Sequence, residues 1–339
     1  MLLAQVDERM LECAAWVPLV IWMKLGLPVE GLGGRLGRWF ELHGEELEAP
    51  HLLSAWFDAT TDCGEVVTHA RRWLERHGTH LEARFVLASW IYRLDDVGEV
   101  APYVDRWTGK NGTCHEALLV FCAWYHNGGD QGRYRDLVLA LIEQFPTSEK
   151  AWFLTKFASG WRDLPERSIR AICSMCRGFR NDPDSLWRTS RLCWHISQDS
   201  WDLAREIIRT ALDCLEIHCA DGQLNQESHL PVAIVFNFLT DVWQAPEFED
   251  RILRNLAAAV SSGRVFHSEA NFVQGFGLPR IVFEALRNGY LDVDRDRCGL
   301  IAYAQMLARS DHGAPAFAEF LALVSRRFPS DLWSAAAQP

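Results

Sequence analysis

Long hydrophobic runs are missing from this sequence. The apolar stretch from Cys13 to Met23 is interrupted by Pro18 and ends at Lys24, short of the roughly 20 residues that span a bilayer. A basic lead is missing too: Asp7, Glu8, Arg9 and Glu12 come before that stretch, unlike the positively charged start of a secretory signal. A cytoplasmic protein that does not enter the membrane is expected. Basic charge is scarce, with 34 Lys and Arg against 45 Asp and Glu and a net charge of −11. That field repels phosphate backbones and anionic lipid, which argues against nucleic acid as a partner. Ten cysteines in 339 residues fall short of a disulfide framework. They sit mostly within apolar helical patterns and read as reduced thiols acting as small hydrophobes. No segment is polar and charged enough to stay disordered.

What is present is apolar and aromatic. Hydrophobic residues make up 49% of the chain, and the 15 Trp are the oddest count. Tryptophan fills interhelical space or anchors a binding surface, and most of these are expected in the core. A chain of this length exceeds one compact core, so two domains or an elongated repeat array is expected.

Self-similarity decides for the array. The segments SAWFDATTDCGEVV, ASWIYRLDDVGEVA and CAWYHNGGDQGRYR align with Trp56, Trp90 and Trp124 spaced 34 apart. Asp62, Asp96 and Asp130 keep that step, as do Gly64, Gly98 and Gly132, and Trp73, Trp107 and Leu141. Each unit reads as helix, turn, helix. From Leu81 to Leu94 the apolar residues Phe85, Leu87, Ala88, Ile91 and Leu94 suit a helical stripe and not a strand's alternation. In the D-x-G element Asp bonds backbone amides locally and Gly tolerates the turn. Val66, Val67, Ala70, Trp73 and Leu74 form the second stripe. One such hairpin cannot bury both stripes, so neighbours must stack.

Looser hairpins follow. Phe145-Pro146-Thr147-Ser148 stops one and starts the next, Glu149 to Gly160. Trp161 to Pro165 is a turn before a helix from Glu166 to Arg177. Asn181 to Ser185 precedes helices Leu186 to Ser197 and Trp201 to Cys219. A helical-hairpin period of 34 residues resembles the tetratricopeptide repeat family over about Pro50 to Asp221. The resemblance implies an all-α protein, an α-solenoid of stacked hairpins. Residues 1–49 read as an N-terminal helical cap, 50–221 as the repeats and 222–339 as a C-terminal helical region continuing the stack. The run ADGQLNQESHLP from Ala220 to Pro231 marks the break. Beyond it, helices are expected over Val232 to Trp243, Pro246 to Ser261, Ser268 to Val273, Leu278 to Asn288, Arg297 to Arg309 and Pro315 to Phe328.

Three chemical candidates arise. Gly31, Gly33 and Gly34 lack the Lys-Ser or Lys-Thr and the preceding strand of a phosphate loop, so a flexible turn is expected. Cys173, Cys176, Cys193, His195, Cys214, His218 and Cys219 are zinc-ligand types, but they lie within helical stripes and read as core thiols with a surface His. His267 near Glu269 pairs an imidazole with a carboxylate, whereas Ser268 reads more simply as a helix cap. Arg71, Arg72, Arg76, Arg188 and Arg191 read as solvated helix faces. Trp107 and Trp161 are the two tryptophans least explained by core packing.

The expected function is therefore a protein-protein interaction scaffold or adaptor, not an enzyme, with no cofactor and another protein or peptide as partner. Its groove would run over the first helices of successive hairpins, with Trp56, Arg84, Trp90, Tyr92, Trp124, Tyr125, Trp152 and Lys156 as contacts. Two alternatives stand beside it: an acidic toxin-neutralising or regulatory protein masking a basic partner, and a metal-dependent enzyme.

Overall fold

A computed structural model describes residues 2–32, 34–93, 97–182, 184–195, 201–220, 246–261, 277–309, 318, 321–322 and 324–326. Among them the regular structure is all helical, with no strand. The contacts divide the chain into two compact units, Met1–Ala158 and Ser159–Pro339. That boundary falls inside the segment expected to be one repeat array. The expected break around 221–231, the helices over 232–243 and 268–273, and almost all of 315–328 lie outside the described residues.

The N-terminal unit holds α1 (Leu2–Arg9), α2 (Trp16–Lys24), α3 (Arg35–His43), α4 (Ala49–Ala59), α5 (Gly64–His77), α6 (Ala83–Arg93), α7 (Ala101–Asn111), α8 (Ala117–His126), α9 (Arg135–Gln144) and α10 (Glu149–Ala158). Even-numbered helices form one layer, in which α4 packs on α2 and α6, and α8 on α6 and α10. Helices α5, α7 and α9 each lie against the even helices on both sides. An even helix therefore has neighbours on three sides, and this explains its nearly all-round apolar sequence.

A single bond recurs through these hairpins. The indole Nε1 of Trp39 donates to the Cys13 carbonyl at 3.2 Å, that of Trp73 to Glu46 at 3.0 Å and that of Trp107 to His80 at 2.9 Å. Each ties an odd helix to the loop leading into its own hairpin, and the three tryptophans are 34 residues apart. Residues 16–43, expected to be part of a cap, thus form a hairpin closed the same way as its successors. Trp107 is fully buried, contrary to its reading as poorly explained by packing. A second column is Ala15, Ala49, Ala83, Ala117 and Ala151, all completely buried, where a larger side chain would hold the layers apart.

The D-x-G turns form as the local chemistry requires. The Gly64 amide donates to Asp62 Oδ1 at 3.0 Å, and the Gly132 amide to Asp130 Oδ1 at 2.9 Å. Asp96 lies outside the described residues. After α8 the chain turns through Gly128 at φ +75°. A Cβ on the following Gly129 would lie 2.4 Å from the Trp124 ring, so that indole packs directly on backbone.

The C-terminal unit contains α11 (Glu166–Gly178), α12 (Asp184–Leu192), α13 (Trp201–Ala220), α14 (Pro246–Ser261), α15 (Gly277–Arg287) and α16 (Arg297–Arg309). Helix α13 packs on α11, α12 and α14, and α14 also packs on α15 and α16. Arg251 bridges α14 to α13 by bonds of 2.8 Å to both Asp213 and Glu216. Arg177 reaches Glu206 at 2.6 Å and the Thr210 hydroxyl at 3.0 Å. Trp161 is buried.

Candidate binding face of the N-terminal unit

The three tryptophans expected to line a groove point away from solvent. Trp56, Trp90 and Trp124 expose 3%, 0% and 1% of their surface. Tyr125 and Trp152 are buried as well. The Tyr125 hydroxyl donates to the Gln131 carbonyl at 2.9 Å, and Trp124 Nε1 donates to the Asp130 carbonyl at 3.1 Å. These five side chains hold the helices together and are removed from any surface a partner reaches. Tyr92 and Lys156 are exposed, and Arg84 is half-buried. The Arg84 guanidinium lies 4.4 Å from the Phe85 ring centroid and 3.1 Å from Glu82. Tyr92 is 46% exposed and meets His126 edge-on at 5.5 Å.

The outward face of the even helices is built on a different column. Val17, His51, Phe85, Leu119 and Phe153 are again 34 apart, one per even helix, and each is half-exposed or exposed. On α4, α6 and α8 they precede Trp56, Trp90 and Trp124 by five positions, which at about 100° per residue turns them some 140° away from those buried indoles. The column is continuous in places. Trp16 stacks on His51 at 5.5 Å, and His51 meets Phe85 at 5.0 Å.

One turn further along, the residues are small on three successive helices: Ser54 and Ala55, Ala88 and Ser89, Cys122 and Ala123. Ser54 and Ser89 share a hydroxyl hydrogen bond of 2.8 Å across α4 and α6. Beyond them Asp58, Tyr92 and His126 are exposed. The face therefore has an apolar ridge and a polar-aromatic ridge, with small, mostly buried residues between them. Glu48, Glu82 and Glu116 precede the apolar ridge by three residues, one helical turn away on the same side, and each is half-exposed. Sequence reasoning missed the ridge because its residue types vary, from Val17 through His51 to Phe85, Leu119 and Phe153.

Metal and catalytic candidates gather no comparable site. Cys173, Cys176, Cys193 and Cys214 are buried. Burial pushes the Cys173 thiol up to about 12 and raises the other three, which favours the protonated form over the thiolate a metal needs. His195 is half-buried, and burial lowers its pKa against the opposing pull of Asp163. Among the described residues no group of three His, Cys, Asp or Glu is placed to hold a metal ion. The side chains of His218 and Cys219, and the loop with His267 and Glu269, lie outside the described residues.

Of the basic spots, Arg71 pairs with Glu99 and Arg76 with Glu45. Arg188, expected on a solvated face, is buried, with Asp184 at 3.1 Å one turn before it. No helix among the described residues is long and apolar enough to cross a membrane. Comparisons with family models, with curated proteins and with solved structures found no match.

Proposed function

We propose that this chain is a protein-interaction scaffold whose N-terminal unit is a tetratricopeptide-like solenoid, and that the outward face of α4, α6, α8 and α10 holds a segment of another protein. The observation that carries this reading is the apolar ridge. Five even helices, α2 to α10, place a large apolar or imidazole side chain at the same exposed position, although an isolated solvent-facing helix position has no physical need to be apolar. Stacked hairpins make such a surface long enough for an extended partner. The buried thiols and the exposed, charge-paired arginines support a binding role over catalysis, and the protein is read as cytoplasmic with no cofactor. The acidic-masking alternative needs a dense face of one sign, whereas Glu45, Glu82 and Glu99 each have an arginine partner.

The test is photo-crosslinking in the protein's own cells from benzoylphenylalanine placed at position 85 or 119, with Thr68 on the exposed side of α5 as control. A discrete adduct from the two ridge positions and none from Thr68 is expected. Adducts from Thr68 alone would overturn the reading.

A further inference from the structure

Each even helix turns one flank to the even helix before it, and the contacts show which positions form that flank. Ser89 of α6 shares its hydroxyl bond of 2.8 Å with Ser54 of α4. Phe157 of α10 meets Tyr125 of α8 at 5.5 Å between ring centroids. Arg93 of α6 donates to the Asp58 carbonyl of α4, and Asn127 at the end of α8 donates to the Ile91 carbonyl of α6 at 2.7 Å. In the 34-residue register, Ser89 and Phe157 correspond to Ile21 of α2, and Arg93 and Asn127 correspond to Leu25.

On α2 that flank is uncovered. Helix α1 also packs on α2, yet Ile21 is 42% exposed, Leu25 63% and Val17, one turn before them, 41%. Spaced at i, i+4 and i+8, the three make one apolar stripe. The burial pattern is inverted here. Where the flank is covered, Ile21's place is taken by the small residues Ala55, Ser89 and Ala123, and Leu25's by the polar Arg93 and Asn127. Where it faces solvent the side chains are larger and wholly apolar, although an exposed end of a helical stack stays soluble by being polar.

We infer that this stripe is a homodimer interface, in which α2 of a second copy lies antiparallel against α2 of the first. The kind of occupant follows from the covered examples, since each of these flanks on α4, α6, α8 and α10 is met by another even helix of this chain. Symmetry selects α2 itself. A twofold axis at Ile21 sets Ile21 against its own copy and Val17 against Leu25, so the stripe is its own complement. None of the three residues is charged, so the contact asks for no oppositely charged partner, and burial of apolar surface supplies the attraction. A parallel pair would bring the exposed Lys24 of each copy side by side, whereas the antiparallel pair separates the two ammonium groups. The stripe meets the outward ridge only at Val17, and self-association goes beyond the docking role assigned above. Three side chains per copy fall short of a standard interface, so the dimer is weak, with a dissociation constant on the order of 10 µM.

The experiment is sedimentation equilibrium of the full-length protein from about 1 to 100 µM. The average mass is expected to climb from one chain toward two across that range. Ile21→Glu should weaken association at least about thirtyfold, with a helical spectrum and a melt at the lowest concentration matching those of the parent. Tyr92→Glu, exposed on the outward face, should leave association unchanged. Benzoylphenylalanine at position 25 should join two full-length chains, with the adduct mapped near Val17 of the second copy. A monomer at every concentration, a dimer indifferent to Ile21→Glu, or adducts mapped outside α2 would overturn the inference. Crosslinking of position 25 in cells to a different protein alone would overturn it as well, by showing the stripe in use with another occupant. Crosslinks from positions 85 and 119 are read separately, so the ridge and the stripe stand or fall apart.

Discussion

The two compact units hold their helices together by different chemistry. In the N-terminal unit lie all five tryptophans that are fully buried among the described residues: Trp39, Trp73, Trp90, Trp107 and Trp124. Neutral indole-to-carbonyl bonds close its first three hairpins. Its ion pairs, such as Arg133 with Asp105 and Arg76 with Glu45, join side chains that are each well exposed, where such pairs contribute little. The C-terminal unit buries Ser168, Ser185, Arg188, Thr189, Thr210 and Asn255, where the N-terminal unit buries Ser89, Thr108 and Thr155, and the ion pairs of Arg177 and Arg251 are more enclosed. The neutral device repeats in the first three hairpins, where it asks only for one indole and one carbonyl in the same place each time, and Leu141 takes the indole's column in the fourth. Charge pairs fix individual helix contacts without imposing a period.

The largest expected effect comes from breaking the neutral device. Trp107→Ala should cost about 3–5 kcal/mol, read as a lowered denaturant midpoint for the N-terminal unit. Trp107→Phe should still cost about 1–3 kcal/mol, because the His80 carbonyl loses its donor. Trp90→Phe should cost less than Trp107→Phe, since no described group accepts a hydrogen bond from the buried Trp90 indole. Equal costs for the two Phe variants would mean that the bond adds nothing to packing.

Helix ends give a smaller contrast. A Cβ on Gly78 would lie 2.4 Å from the Leu74 carbonyl oxygen, and the equivalent positions Gly44 and Gly112 are similarly tight. Gly78→Ala should therefore destabilise the protein by about 1–2 kcal/mol. Gly109→Ala, inside α7 with nothing within 4 Å, should stabilise it by about 0.5–1 kcal/mol. Thermal melts of the pair separate a register constraint from general glycine chemistry.

Salt sharpens the difference between units. Arg251→Ala should cost about 1 kcal/mol at low ionic strength and less in 1 M salt, whereas the Trp107 variants should keep their full deficit. The smallest effect is in acid. Burial lowers the pKa of His69 in α5 and of His195 in the C-terminal unit. The unfolded chain therefore takes up their protons first as pH falls below about 6.5. Stability should decline from there until the folded histidines also protonate. His69→Phe should flatten that slope in pH-dependent melts, and an unchanged slope would count against His69 being its source.

Much of the N-terminal unit was legible in the sequence because its restraints are local. The D-x-G turns need only an Asp and a Gly two residues on, and the Trp73 and Trp107 column repeats a residue type. The face of each even helix was not legible. Neighbours on three sides make these helices apolar nearly all round, so no amphipathic stripe marks the open side. The conspicuous tryptophans were therefore assigned to the surface when the variable column of Val17, His51, Phe85, Leu119 and Phe153 occupies it. The hairpin of α2 and α3 was overlooked because no D-x-G joins its helices, although Trp39 stands 34 residues before Trp73. Arg188 shows the same limit from the other side, since burial of a charge depends on which helices surround it.

The docking face depends on successive hairpins sharing one register, and the indole protons report that register directly. Hydrogen exchange of the tryptophan side chains, followed by NMR with assigned resonances, is the measurement. The indole N–H groups of Trp39, Trp73 and Trp107 are expected to exchange as slowly as core helix amides and to lose protection together in denaturant, while that of exposed Trp201 exchanges fast. Rapid exchange at any one of the three, or loss of protection at separate denaturant concentrations, would contradict the account.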